Sequence, residues 1–413
     1  MADKKTIRVT IESMANGGSG IAKHNGQVIF IPYTIPGEVL DAQIIREKGR
    51  VAFGRGVTLQ DASADRVYPK CAHFGAGKCG RCQWQHIDYQ AQLLLKQDVL
   101  ADQLERVGGF TNADVQAVIP SPSEWGYLYQ LAFEISPEGQ IGLPSADDDT
   151  LTVIKTCEIL HPDLLELYES LEMDFVGMKR LKLRLGSDNT PMLILYVEDE
   201  NDVPELAVDF PATVNAILPD GIPINLIGET HSRYTINGHE FRVTAGCDFR
   251  HNIAQISELS ALVTKILNIT PDDVVGDFYG GCGFLSVGIA PHAKSVTMVE
   301  SYPPAVHDAR QNCEKFENIQ VIDGAVEDEL YRLNDFDALI LDPPSDGLSL
   351  AVVDALGESS VKRIAYISSD PATLARDCKR LVSKGYKLGK VYPMDMHPQT
   401  YYIDAVAVLE RAF

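Results

Sequence analysis

Val274-Val275-Gly276-Asp277-Phe278-Tyr279-Gly280-Gly281-Cys282-Gly283 reads as a short apolar strand that enters a glycine-rich turn and opens a helix. Glycine lacks a Cβ, so the chain can turn sharply there and a ligand can approach the backbone N–H groups of the helix start. Many nucleotide-binding α/β folds carry such a turn, so alone it speaks for fold class more than for ligand. The flanking pattern extends the reading. A helix is expected at Ser257–Leu267, and strands at Val274–Phe278, Val296–Glu300, Ala338–Leu341 and Ile364–Ser368, with helices between them. That alternation predicts a doubly wound, Rossmann-like α/β domain over residues 244–413.

Two acids sharpen the site. The strand after the turn ends in Glu300, placed to accept hydrogen bonds from both hydroxyls of a ribose. The next ends in Asp342-Pro343-Pro344. The combination points to an S-adenosylmethionine methyltransferase acting on a base or an exocyclic nitrogen, with Tyr279, Gly281, Gly283, Glu300 and Asp342 at the cofactor. A dinucleotide-dependent oxidoreductase is the second reading, and it leaves Asp342-Pro343-Pro344 unexplained.

Upstream, Thr6–Ile11, Gln27–Ile31 and Val39–Ile45 alternate between glycine and proline turns, as in a small β-barrel over residues 1–65. Residues 66–243 read as a central α+β domain. It begins with Cys71, Cys79 and Cys82 in a glycine-rich loop, and Cys157 follows later. Four thiolates suit zinc or an iron–sulfur cluster, and spacing alone does not choose. Residues 88–107 carry Leu93, Leu100, Leu104 and Val107 on one helical face, closed by Gly108-Gly109. The pattern leaves open whether this helix packs on the central or the C-terminal domain. Cys247, Cys282, Cys313 and Cys378 are expected to be small buried hydrophobes.

The 413 residues carry a formal charge of −22, which argues mildly against a polyanion partner. Residues 1–60, however, hold eight Lys/Arg against five Asp/Glu, so basic surface is expected near the N-terminus. No apolar run has membrane-spanning length, and Met1–Lys5 lacks the apolar stretch of a signal peptide, so the expected compartment is the cytoplasm. Eight cysteines in so long a chain do not form a disulfide scaffold.

Several segments resemble one family throughout. Gly17-Gly18-Ser19-Gly20-Ile21-Ala22 followed by Val28-Ile29-Phe30-Ile31-Pro32 and Ile35-Pro36-Gly37-Glu38 resembles the TRAM domain, an OB-like RNA-binding module. Cys71-Ala72-His73-Phe74-Gly75, Cys79-Gly80-Arg81-Cys82 and Cys157 resemble the 4Fe-4S segment of the RNA 5-methyluridine methyltransferases. Tyr366-Ile367-Ser368-Ser369-Asp370-Pro371-Ala372-Thr373-Leu374-Ala375-Arg376-Asp377 and Pro398-Gln399-Thr400-Tyr401-Tyr402-Ile403-Asp404-Ala405-Val406 resemble that family's catalytic segments. The resemblance implies a monomer that uses S-adenosylmethionine, holds a 4Fe-4S cluster on Cys71, Cys79, Cys82 and Cys157, and acts on ribosomal or transfer RNA.

It also implies a defect. Carbon C5 of uracil is a poor nucleophile; a cysteine thiolate adds to C6 to activate it, and a carboxylate later removes the C5 proton. Ser369 stands where the family has the cysteine, Asp404 where it has the glutamate, and Tyr402 where it has a histidine. Arg250 replaces a glutamine, Ser345 an arginine, Ala325 a polar residue, and Leu128 an arginine. A serine hydroxyl needs an adjacent base to act as a nucleophile. Three readings follow: a methyltransferase with weakened or redirected chemistry, a silent RNA- or cofactor-binding relative, and a redox or iron sensor.

Overall fold

The computed structural model describes residues 6–173, 175–204 and 211–412; residues 1–5, read above as lacking an apolar leader, lie outside them. At the N-terminus β1 (Thr6–Met14), β2 (Gly20–His24), β3 (Gln27–Ile31), β4 (Val39–Lys48) and β5 (Val51–Asp61) close into a barrel in the order β1-β2-β3-β5-β4. The alternation of β1 buries Ile7, Val9 and Ile11. The sequence reading missed β2 and β5. The last seven residues of β5 are all exposed, so its pattern carries no alternation to read.

After the cysteine loop, α1 (Tyr89–Gln103) starts at Asp88, whose side chain accepts from the N–H of Gln90. The chain runs on through a wider turn, Leu104–Gly108, and stops at Gly109 with φ +78°. Leu100 and Leu104 join the core of the C-terminal domain, which answers where this helix packs.

The central sheet comprises β6 (Gln130–Ile135), β7 (Ile141–Pro144) and β8 (Leu151–Thr152), then α2 (Pro162–Ser170) with Leu164 and Leu167 inward, then β9 (Met178–Leu185), β10 (Pro191–Val197), β11 (Thr213–Ile217) and β12 (Pro223–Ile227). Its order is β12-β11-β10-β9-β6-β7-β8. A ribbon of β13 (His231–Ile236) and β14 (His239–Thr244) follows. Arg184 of β9 is fully buried and donates to the carbonyls of Val243, Thr244 and Cys247, tying the sheet to the chain that enters the last domain.

That domain begins with α3 (Ile253–Ile266), four residues earlier than expected because Asn252 caps it by accepting from the N–H of Gln255. Then come β15 (Val274–Phe278), α4 (Phe284–Ile289), β16 (Ser295–Glu300), α5 (Pro303–Asn312), β17 (Ile319–Asp323), β18 (Ala338–Leu341), α6 (Leu350–Glu358), β19 (Arg363–Ser368), α7 (Pro371–Ser383), β20 (Tyr386–Met394) and β21 (Asp404–Arg411). The sheet order is β17-β16-β15-β18-β19-β21-β20. Strands β15 to β19 are parallel, and β21 is antiparallel to both neighbours. Chain order reverses between β15 and β18, and ligands of such sheets bind beyond the carboxyl ends of the strands at that point. Among the described residues no helix is long and apolar enough to cross a membrane.

One feature of α1 bears on the site. The loop between β20 and β21 is held to it at two buried points. Gln92 exchanges hydrogen bonds with Gln399, and Lys96 Nζ meets Asp395 Oδ1 at 2.6 Å with both side chains fully buried. Lys96 also donates to the carbonyl of His397. Removing one partner of a buried ion pair strands the other charge in a low-dielectric interior. Lys96→Met is therefore expected to cost about 3–5 kcal/mol of unfolding free energy in denaturant titration; a cost within measurement error would contradict this role.

Candidate active site

The donor side is built on β15 and β16. Beyond β15, Tyr279 (φ +64°) and Gly281 (φ +56°) turn the chain, and Gly283 (φ +85°) starts α4. A side chain at Gly283 would stand 2.9 Å from Cys313 Sγ, so only glycine fits there. Left-handed backbone at a tyrosine is unusual and concentrates at functional sites. Glu300 Oε2 accepts from the N–H of Gly281 at 2.9 Å, and Oε1 accepts from those of Ser301 and Tyr302. Beneath the turn lies Asp277, fully buried and hydrogen-bonded by Ser286 Oγ; burial above all pushes it up to about 7. Tyr279, Gly281, Glu300 and Asp342 line one cavity of about 640 Å³. Gly283 lies behind that wall, so it shapes the turn.

The acceptor side is built on β19, β21 and the loop before β21. Ser369 follows β19 and directly precedes Asp370, which caps α7 by accepting from the N–H of Thr373 at 2.6 Å. This is why the Ser-Asp-Pro run is so sharp a signal: Asp370 and Pro371 are a helix start, and Ser369 is left exposed just before it. The Ser369 hydroxyl has no hydrogen-bond partner among the described residues, so nothing there removes its proton. A second cavity of about 420 Å³, walled by Arg81, Tyr127, Leu128 and Tyr402, meets the first one. Both are lined by His251, Ser345, Ser369 and His397.

Arg250 crosses the junction. One of its terminal nitrogens is 2.8 Å from both oxygens of Asp342, and the other is 2.8 Å from Asp404 Oδ1. Asp404, only 3% exposed, also faces His397 Nε2 at 3.1 Å through Oδ2. Burial would raise the pKa of Asp404. The neighbouring His397, Arg250 and Lys96 outweigh it, so the carboxyl is held below its ordinary value. A carboxylate so stabilised is a weak proton acceptor. On the far side of His397, Nδ1 lies 2.9 Å from His251 Nε2.

Sequence reasoning named Arg250 only as a departure, and it passed over His251 and His397. The signal was present: His251 lies inside Phe249-Arg250-His251-Asn252, and His397 directly precedes Pro398-Gln399-Thr400.

Cys71, Cys79, Cys82 and Cys157 line one narrow cavity. Burial first, and then their mutual proximity, push the thiols of Cys82 and Cys157 up. Among the described residues no group of three or more His, Cys, Asp or Glu side chains is placed to hold a metal ion. Arg81, between Cys79 and Cys82, lines both this cavity and the acceptor cavity. The other four cysteines are buried, as expected.

Residues 4–57 match the TRAM domain model, and residues 232–412 match the model of tRNA (uracil-5-)-methyltransferases. An uncharacterised RNA methyltransferase of Gloeobacter violaceus is 31% identical over 99% of this chain and 97% of its own length. The chain belongs to this family of RNA methyltransferases. A second relative, from Halalkalibacterium halodurans, is 30% identical over 98% of this chain and 96% of its own. Among solved structures, the Pyrococcus abyssi tRNA (uracil-54, C5)-methyltransferase in complex with S-adenosyl-L-homocysteine shares the fold. Its TM-score is 0.74 at 22% identity, over 98% of this chain and all of that one. The expected Rossmann-like methyltransferase domain and TRAM barrel are thus both present.

Proposed function

We propose that the chain is an S-adenosylmethionine-dependent RNA methyltransferase that keeps the donor site of its family and no longer methylates uridine C5. The observation that carries this reading is Arg250 locked between Asp342 and Asp404. C5 methylation needs a nucleophile to add to C6 and a base to remove the C5 proton. Ser369 has no neighbour to activate it, and Asp404 is both shorter than the glutamate the family uses and held ionised by Arg250 and His397. Neither half of that chemistry is supported.

The donor side remains suited to an adenosyl group. The cavity is large enough, its floor is a glycine turn, and Glu300 stands beside that turn at the end of β16, where an acid can take ribose hydroxyls. Bound there, S-adenosylmethionine supplies an electrophilic methyl group. RNA as the acceptor is supported by the barrel, where Arg46 lies 4.4 Å over the ring of Phe53 and Phe30 stacks on the same ring at 5.8 Å. Aromatic faces beside arginines are a surface on which unpaired bases stack.

Cys71, Cys79, Cys82 and Cys157 are assigned a 4Fe-4S cluster in the same reading. What supports it is that the four cysteines line one cavity, in segments that resemble the cluster-binding segment of the family. Iron and acid-labile sulfide analysis of anaerobically purified protein is expected to give about four of each per chain; iron-free protein, or one zinc per chain, would overturn the assignment.

Methyl transfer tests the main reading. Anaerobically purified protein is supplied with labelled S-adenosylmethionine and unmodified ribosomal and transfer RNA, and the nucleosides are identified by mass spectrometry. Label is expected in RNA but absent from 5-methyluridine, and transfer is expected to persist in Ser369→Ala. Labelled 5-methyluridine that disappears in Ser369→Ala contradicts the reading. RNA that acquires no label, despite bound cofactor and intact cluster, points to a silent relative instead.

A further inference from the structure

His251, His397 and Asp404 stand in a row, with His397 between the other two. His397 Nε2 stands 3.1 Å from Asp404 Oδ2, an oxygen that no hydrogen bond reaches among the described residues, so a hydrogen on Nε2 would face that carboxylate. His397 Nδ1 lies 2.9 Å from His251 Nε2, and with the His397 hydrogen on Nε2 alone, Nδ1 would accept from His251 Nε2. In that arrangement His251 Nδ1 is left with a bare lone pair. It has no protein partner among the described residues and is not among the buried polar atoms that lack one. His251 lines both the donor and the acceptor cavity.

We infer that His251 is the proton acceptor of the methyl transfer and that the acceptor atom is an N–H of a nucleobase. The inference rests on the methyltransferase reading and names its substrate class. A ring or exocyclic nitrogen carries its own nucleophilic lone pair, or gains one on losing its proton, so it requires neither Ser369 as nucleophile nor Asp404 as base. A planar base suits the cavity, whose wall includes Tyr401 and Tyr402 with ring centroids 4.5 Å apart.

The step balances. The new N–CH3 bond takes the methyl from the sulfonium, whose S–CH3 electron pair stays on sulfur as the thioether. The nitrogen's proton goes to His251 Nδ1, the Nε2 proton of His251 passes to His397 Nδ1, and the positive charge comes to rest on His397 against Asp404. The groups facing His251 favour that direction. Burial opposes a cation on His251 most, and Arg81, Arg250 and Lys182 oppose it as well, so its pKa is pushed well below the ordinary imidazole value. The free base is therefore present throughout the neutral range, and the rate is expected to be flat there. His397 is a positioning residue that moves the charge toward Asp404.

Two readouts test the inference on the full chain. The first needs no RNA: nitrogen NMR of protein labelled at histidine, with His251→Asn assigning the resonances. A neutral His251 protonated on Nε2 is expected; a charged ring, or a proton on Nδ1, overturns the inference. The second uses labelled S-adenosylmethionine with unmodified transcripts of ribosomal and transfer RNA. An N-methylated base is expected. Both His251→Asn and His251→Gln should lower the single-turnover rate by about 100-fold or more, while circular dichroism and S-adenosylhomocysteine affinity stay at the level of the unmutated protein. An N-methyl product formed at an undiminished rate in both variants overturns the inference. Transfer to a base carbon or a ribose oxygen sinks this inference and leaves RNA methyl transfer standing. No transfer to any of these RNAs sinks both.

Discussion

The guanidinium of Arg250 fastens together two carboxylates from different strands, Asp342 beyond β18 and Asp404 at the start of β21. These strands flank β19, which ends beside Ser369, so one side chain spans the pocket next to Ser369. Two like charges this close to a shared cation need it. Without it one carboxylate would take up a proton or move away. Asp404, beside His397 and Arg250, is held ionised, and His397 stands between it and His251. One arginine, where the family resemblance implies a glutamine, thus ties both carboxylates into one ion-pair network.

That charge pattern separates the two halves of a methyl transfer. The donor half depends on backbone geometry: a glycine turn, an acid held by three N–H groups, and the topological switch of a parallel sheet. Such features tolerate changes elsewhere, because backbone amides do not depend on neighbouring side chains for their charge. The acceptor half depends on side-chain pKa values, which a single new cation resets. A chain can therefore keep its cofactor cavity while losing carbon methylation. His251, which lines both cavities, lies in the same pocket.

Local patterns were legible in the sequence. Val274–Phe278 and its glycine turn, Glu300 and Asp342 could be placed because strand, turn and strand-end acid are short-range signals. So could α1, through Leu100, Leu104 and its terminal glycines, although Val107, expected on the same face, is exposed. The strands β2 and β5 were not legible, since β5 is exposed along most of its length. The Arg250 bridge was not legible either, because it joins residues 92 and 154 positions apart, and neither identity nor spacing reports such a contact. The histidine pair, 146 positions apart, was hidden for the same reason. The helix α1 could be read as a helix but not as the support of the loop carrying His397, since that depends on the buried Lys96–Asp395 and Gln92–Gln399 contacts.

Covalent trapping on 5-fluorouridine RNA tests the account most directly. Fluorine at C5 cannot leave as a proton does, so an enzyme that attacks C6 and methylates C5 stays bound to the base. With cofactor present, the account predicts no covalent complex between this chain and 5-fluorouridine-substituted RNA. It predicts that one appears when Arg250→Gln, Ser369→Cys and Asp404→Glu are combined. A stable adduct on Ser369 of the unmutated protein would contradict it.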